Sequence, residues 1–197
     1  LEIYNYLTEE GYRYQQYIPC VEFDEQGRLL PFAITGEQWG DFLCKIFDEW
    51  YASDVHTVSI RLFESILYYL LSGRRNSCAM AENCCQYLVV EYNGDVYPCD
   101  FFVTPELRLG NIMYNSWEEM LSSKIYLQFG TRKRKLHEKC LNCEYFDLCV
   151  GDCQKHRYKN EHELENLSAL CSGWKKFFAY TLERFQELAM RIGNRKN

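Results

Sequence analysis

Eight of the nine cysteines from Cys78 to Cys171 are spaced in a way that suits metal clusters better than disulfides. In order they are Cys78, five residues, Cys84, nine residues, Gly94, four residues, Cys99, and after a gap Cys140-x2-Cys143-x5-Cys149-x3-Cys153-x17-Cys171. Eight thiolates divide into two sets of four, and four cysteine thiolates are what a cubane iron-sulfur cluster takes from a protein. Structural zinc also takes four thiolates, and the Cys140-x2-Cys143 bite would serve either metal from a short loop. The x5 and x3 intervals that follow fit a zinc knuckle less well and suit a loop wound around a larger object. A disulfide scaffold is the third reading. Disulfide-dense secreted chains are usually short with an even cysteine count, whereas this chain has 197 residues and 11 cysteines.

Other residues could do chemistry beside these. Asp100 directly follows Cys99, and a carboxylate next to an anionic cluster and partly withdrawn from water is favoured to take up a proton, which suits a general base. The alternative is an Asx-type turn residue. The basic run Arg132–Lys135 reads as a solvated face, with an electrostatic dock for an acidic partner as the sharper alternative. Arg61 could reach a substrate carboxylate or solvate a helix face. His56, His137, His156 and His162 lack the paired spacing of a metal site and read as surface residues. Cys20 reads as a buried apolar thiol. Cys85 adjoins Cys84, and either could be the ligand.

The elements that must hold these residues are legible in outline. Residues 1–10 read as a helix broken at Gly11, Tyr14–Phe23 as a strand, and Asp24–Pro31 as a linker. Thr35 with Gln38 has capping-box spacing. It opens a helix whose Trp39, Phe42, Leu43, Ile46, Phe47 and Trp50 share one face. A second helix from about Ser59 places Ile60, Phe63, Leu67 and Leu70 inward and stops at Gly73. Tyr87–Tyr92 and Asp95–Cys99 form a hairpin about a two-residue Asn93-Gly94 turn, which brings Cys84 and Cys99 to the same end. Ser116 with Glu119 caps a short helix. A final helix over Trp174–Ile192, carrying Phe177, Phe178, Leu182, Phe185 and Leu188, is expected to pack back across the cysteine loops.

Composition sets the outer bounds. Apolar residues are 47% of the chain, with 16 Tyr and 12 Phe, more than a disordered segment carries. A formal charge of -6 argues against nucleic acid, which calls for a basic footprint. No apolar run approaches the ~20 residues needed to cross a bilayer, and no basic-then-apolar leader opens the chain. A soluble cytoplasmic protein in a reducing compartment, with no membrane partner, is the expectation.

The run Cys84-x9-Gly94-x4-Cys99, Cys140-x2-Cys143-x5-Cys149-x3-Cys153, then Cys171, resembles the seven-cysteine signature of the SPASM domain, the C-terminal extension of peptide-modifying radical S-adenosylmethionine (SAM) enzymes. It spans about half the chain without a spacing violation. The stretch from Cys85 to Val103, with Pro98-Cys99-Asp100, followed by Leu109-Gly-Asn-Ile112, is most similar to the anaerobic sulfatase-maturating enzymes, as is the extra Cys78.

The resemblance implies an α+β fold: residues 1–31 as the last helix and strand of a partial β/α barrel with a linker, 32–77 as connecting helices, and 78–197 as the SPASM domain with loops wrapped around two clusters. It gives Cys78, Cys84, Cys99 and Cys153 to the first auxiliary [4Fe-4S] cluster and Cys140, Cys143, Cys149 and Cys171 to the second. The x9 interval to the glycine selects Cys84 over Cys85. Asp100 matches the proposed base. The chain begins at Leu1 and lacks the C-x3-C-x2-C triplet that holds the SAM-cleaving cluster, so the expectation is the C-terminal part of a longer enzyme. SAM and a third [4Fe-4S] cluster would lie in the remainder. The whole enzyme would oxidise a sulfatase cysteine or serine to Cα-formylglycine, with a SAM-derived 5'-deoxyadenosyl radical taking the Cβ hydrogen and Asp100 the side-chain proton. A flavodoxin or ferredoxin would supply electrons. The other readings are an electron-relay or peptide-binding module of another radical SAM enzyme, and a structural zinc domain.

Overall fold

A computed structural model describes residues 1–159 and 164–194. Helix α1 (Glu2–Glu9) ends where Gly11 turns the chain at φ +84°. The strand expected over Tyr14–Phe23 forms a ladder only at Tyr14–Gln15 (β1), paired in parallel with Ser59–Ile60 (β2). A strand-forming run becomes strand only where a partner offers its backbone, and β2 offers two residues. Asp24–Pro31 is more ordered than a plain linker. Phe23 and Leu29 bridge in antiparallel across a turn in which Gly27 takes φ +83° and Asp24 accepts from Arg28.

Helix α2 (Gly36–Glu49) lies in the β1–β2 crossover, and Thr35 and Gln38 complete its capping box. It runs into a π-helical turn, Trp50–Asp54, which keeps Trp50 buried with its Nε1 donating to the Val58 carbonyl at 2.7 Å. Helix α3 (Arg61–Ser72) buries Phe63, Ile66 and Leu67 and stops at Gly73, φ +67°. Arg61 donates to the Asn76 carbonyl at 2.6 Å.

The next stretch carries the cysteines. Strands β3 (Val89–Val90), β4 (Asp95–Tyr97) and β5 (Gly110–Asn111) make an antiparallel sheet. The hairpin turn differs from the two-residue expectation. Val90 pairs with Val96, Glu91 N–H donates to Asp95 O, and Gly94 N–H donates to Glu91 O, so the loop is the three residues Tyr92–Gly94. Only Gly94 is left-handed, at φ +83°, the pattern of a type I turn closed by a bulge. Asn93 accepts from Asp95 N–H instead of occupying that region itself. Four short helices follow: α4 (Trp117–Ser122), with the Ser116–Glu119 capping box formed, α5 (Lys124–Arg132), α6 (Glu138–Leu141) and α7 (Phe146–Cys149).

Helix α8 (Cys171–Asn194) begins three residues before the expected Trp174. Its apolar stripe packs mainly on α2 and α3 rather than across the cysteine loops, which only its first turns reach. Rings meet at this junction, Phe47 and Phe185 with centroids 4.7 Å apart and Phe63 stacked on Phe177 at 5.8 Å. No helix among the described residues is long and apolar enough to cross a membrane.

The helices approach so closely at Gly40 and Gly173 that a Cβ on Gly40 would lie 2.9 Å from Gly173 Cα, and one on Gly173 would collide with the Gly36 carbonyl. Gly173→Ala is expected to cost about 1–3 kcal/mol in urea denaturation, the usual range for overpacking. Gly193→Ala on the same helix, whose nearest neighbour is 4.0 Å away, should be neutral or slightly stabilising.

Candidate metal centres

The fold gathers the eight cysteines into two sets. Cys78, Cys84, Cys99 and Cys153 line one cavity of about 340 Å³, shared with Asp100, Phe102, Phe129 and Gln154. Cys140, Cys143, Cys149 and Cys171 line a second, tighter one of about 30 Å³, walled by Tyr145, Trp174 and Phe178. Cys78 comes from the loop after α3, Cys84 from the segment before β3, Cys99 from the end of β4, and Cys153 from the loop after α7. The second set takes Cys140 from the single-turn helix α6, Cys143 from the loop after it, Cys149 from the end of α7 and Cys171 from the first residue of α8. All eleven cysteines stand as free thiols, so the disulfide reading has no pair to support it.

Cys85 is directed elsewhere. Its Sγ lies 3.8 Å from the Tyr126 carbonyl and packs on Gly130, in the wall of α5. Cys84, not Cys85, faces the first cavity.

Burial dominates the electrostatics of these thiols. It pushes Cys99 up to about 12, with the Asp100 carboxylate 3.4 Å away adding to the effect. Burial and then Asp152 push Cys153 up to about 12, and Cys149 is raised further still, again chiefly by burial. Thiols held this way keep their protons unless a cation replaces them, so metal binding here must release protons.

The loop joining the two cavities is strained. Val150, Gly151 and Asp152 take φ of +48°, +72° and +62° in succession, and a β-branched residue at positive φ is an outlier. Arg157, 3% exposed, fixes this run. Its Nε donates to Gly151 O at 2.7 Å, Nη2 to Asp152 O at 3.0 Å and Val150 O at 3.3 Å, and Nη1 to Lys133 O at 2.8 Å and Lys135 O at 3.1 Å.

Comparison with known proteins gives this geometry its context. Residues 78–144 match the family model of SPASM, described as an iron-sulfur cluster-binding domain. Over those residues the chain is similar to that domain. Over 91% of its length it is 36% identical to a serine-type anaerobic sulfatase-maturating enzyme of Bacteroides thetaiotaomicron, of which it covers 48%. Over 97% it is 34% identical to a cysteine-type enzyme of Clostridium perfringens, covering 52%. A solved structure described as native anSMEcpe with bound AdoMet and Cp18Cys peptide superposes with TM-score 0.84 at 33% identity, over 96% of this chain and 54% of that one. These relatives are described as sulfatase-maturating enzymes, and the chain spans about half of their length.

Several expectations are corrected. Cys20 is exposed rather than buried. Lys133, within the run read as a solvated face, is 1% exposed, and its Nζ donates to the carbonyls of Cys78 at 2.6 Å and Ala79 at 2.8 Å. His156 is buried, its Nδ1 3.0 Å from Asp152, to which Ser168 also donates at 2.7 Å. Burial opposes ionisation of Asp152, but His156 and Ser168 outweigh it and hold the carboxyl well below the usual range. His56 is exposed, His137 accepts from Lys139 N–H to cap α6, and His162 lies outside the described residues. Asp100, expected to be partly desolvated, is exposed at the rim of the first cavity. Lys133, Asp152, Gln154 and Arg157 were not legible as site residues. Their only signal was adjacency to cysteine-bearing loops.

Arg157→Met should lower stability by at least ~3 kcal/mol, since several buried carbonyls lose a charged donor together. Arg157→Lys should not restore it, because an ammonium lacks the planar fork. Urea denaturation, with limited proteolysis of the 149–157 segment as a second readout, checks both.

Proposed function

We propose that this chain is the C-terminal part of a radical SAM sulfatase-maturating oxidoreductase and holds two auxiliary [4Fe-4S] clusters. The observation that carries the reading is the sorting of eight cysteines into two cavities of four. Cys78, Cys84, Cys99 and Cys153 would hold the first cluster, and Cys140, Cys143, Cys149 and Cys171 the second. The residues fit the group in number and chemistry, since four thiolates are a cubane's complement. When bound, such clusters supply one-electron transfer.

In this proposal residues 1–31 close a partial barrel whose remainder binds SAM and a third [4Fe-4S] cluster, 32–77 connect, and 78–197 form the SPASM domain with its helix. The substrate is a sulfatase polypeptide whose active-site cysteine or serine becomes Cα-formylglycine, and a flavodoxin or ferredoxin supplies the reducing electron. Removal of the Cβ hydrogen falls to the SAM-binding part. Asp100 would accept the proton of the thiol or hydroxyl, and a cluster held by the first set of cysteines would take up the one further electron, leaving an aldehyde from serine, or from cysteine a thioaldehyde that water converts to the aldehyde with release of hydrogen sulfide. Asp100 stands at the open rim of the first cavity beside the apolar Leu88, Val89 and Phe101, where a peptide side chain can reach it and be held in position.

The exposure of Asp100 also favours a second reading, in which this chain relays electrons and docks peptide while the base lies elsewhere. In the full-length enzyme, Asp100→Asn should lower formylglycine formation roughly 10²–10⁴-fold, the usual contribution of a general base, with iron content unchanged. Unaltered product yield would assign the base to another residue.

The ligand sets are tested by iron and sulfide analysis of anaerobically reconstituted protein. The chain should be brown, bleach with dithionite and hold about eight iron atoms, two cubanes' worth. Cys84→Ala should remove about half of that iron and Cys85→Ala almost none. A colourless wild type containing zinc would decide for the structural reading.

A further inference from the structure

Gln154, 8% exposed, follows Cys153 and forms part of the first cavity's wall. Its Nε2 donates to Cys84 Sγ at 3.1 Å and to the Phe129 carbonyl at 3.2 Å, while its Oε1 accepts from Arg132 Nε at 3.0 Å. These three partners fix the amide's orientation. Rotated by half a turn, it would set its oxygen against the Phe129 carbonyl and its NH₂ against a guanidinium, with no acceptor for either group. A donor is therefore held permanently against the Cys84 sulfur. The guanidinium at the far end polarises the amide and strengthens that donor.

An N–H···S hydrogen bond draws charge from a ligating sulfur. One-electron reduction adds a negative charge to a cluster that is already anionic, so the bond is stronger in the reduced state. Hydrogen bonds to the sulfurs are among the factors that set cluster potentials, and partners outside the ligand shell tune a metal site as the ligands do.

We infer that Gln154 is a positioning residue that, through its hydrogen bond to Cys84, raises the reduction potential of the first cluster and readies it to accept an electron. Arg132 holds the amide in the donating orientation, a task other than solvation for this member of the basic run. The inference rests on Cys84 being a ligand of that cluster.

The test is a redox titration of the reconstituted full-length enzyme, with dithionite and mediators and the reduced clusters followed by electron paramagnetic resonance. Gln154→Met keeps length and volume and removes the donor. The first cluster's midpoint should fall by about a tenfold shift in its reduction equilibrium, roughly 59 mV for one electron, while the second cluster's midpoint stays put. An unchanged first midpoint at full iron content overturns the inference.

Should Gln154→Met fail to load, wild-type enzyme carrying side-chain ¹⁵N-glutamine decides the matter by pulsed resonance. A ¹⁵N coupling to the reduced first cluster supports the hydrogen bond, and its absence overturns it. A wild type that takes up no iron would instead sink the ligand assignment, a separate result.

Discussion

The fork of hydrogen bonds from Arg157 to five carbonyls is the constraint on which the two cavities depend. Cys149 and Cys153 are four residues apart, and in a continuing right-handed helix residues at that spacing lie on one face. Had α7 run on, both sulfurs would serve one site. Instead the chain turns left-handed for three residues after Cys149, so that Cys149 faces the second cavity and Cys153 the first. Non-glycine residues in that region cost of order 1–3 kcal/mol each and persist only when their surroundings over-determine them. Arg157 supplies that surrounding by accepting no alternative geometry: its planar donors meet carbonyls that converge only when the loop is coiled this way.

A second consequence concerns charge. Lys133 and Arg157 are both buried, and burial works to lower the affinity of each for its proton. What opposes this for Lys133 is first the sulfur of Cys84 and then Asp152, and for Arg157 first Asp152 and then the sulfurs of Cys140, Cys149 and Cys153. Cations withdrawn from water need compensating negative charge close by. Here Asp152, held ionised, provides it, and the same cations favour the deprotonated sulfurs that metal binding requires. Lys133 also ties its chain to the carbonyls of Cys78 and Ala79, so the electrostatic partner of the first cavity is also its mechanical support.

How much of this was legible in the sequence follows from which interactions are local. The capping boxes at Thr35 and Ser116, the stop at Gly73 and the apolar stripes of α2, α3 and α8 depend on residues within a turn or two of each other, and they form as read. The cysteine intervals were legible for a related reason: a short interval between ligands leaves the chain few ways to return to the same object. The hairpin turn was misread by one residue because Asn93-Gly94 fits two loop lengths, and the choice falls to the distant Asn111, whose amide donates to Asn93 O and Asp95. Lys133, His156 and Arg157 were misread or passed over because burial of a polar residue is decided by partners far along the chain. Nothing within ten residues of Lys133 announces the carbonyls of Cys78 and Ala79.

The segment from Cys149 to Arg157 also links the two layers of the fold. Cys171, in the second cavity, opens α8, and α8 is clamped to α2 at the glycine contact of Gly36, Gly40 and Gly173. The first cavity instead takes Cys99 from the end of β4 and is roofed by the Phe102–Phe129 pair at 5.3 Å. One cavity thus adjoins the helices and the other the small sheet, with Asp100 three residues past the end of its central strand β4. Among the described residues, only the Arg157-fixed loop contributes neighbouring residues to both walls. A change in its curvature would shift Cys153 relative to Cys149 and alter the separation of the two cavities, while leaving the helix core and the sheet each intact.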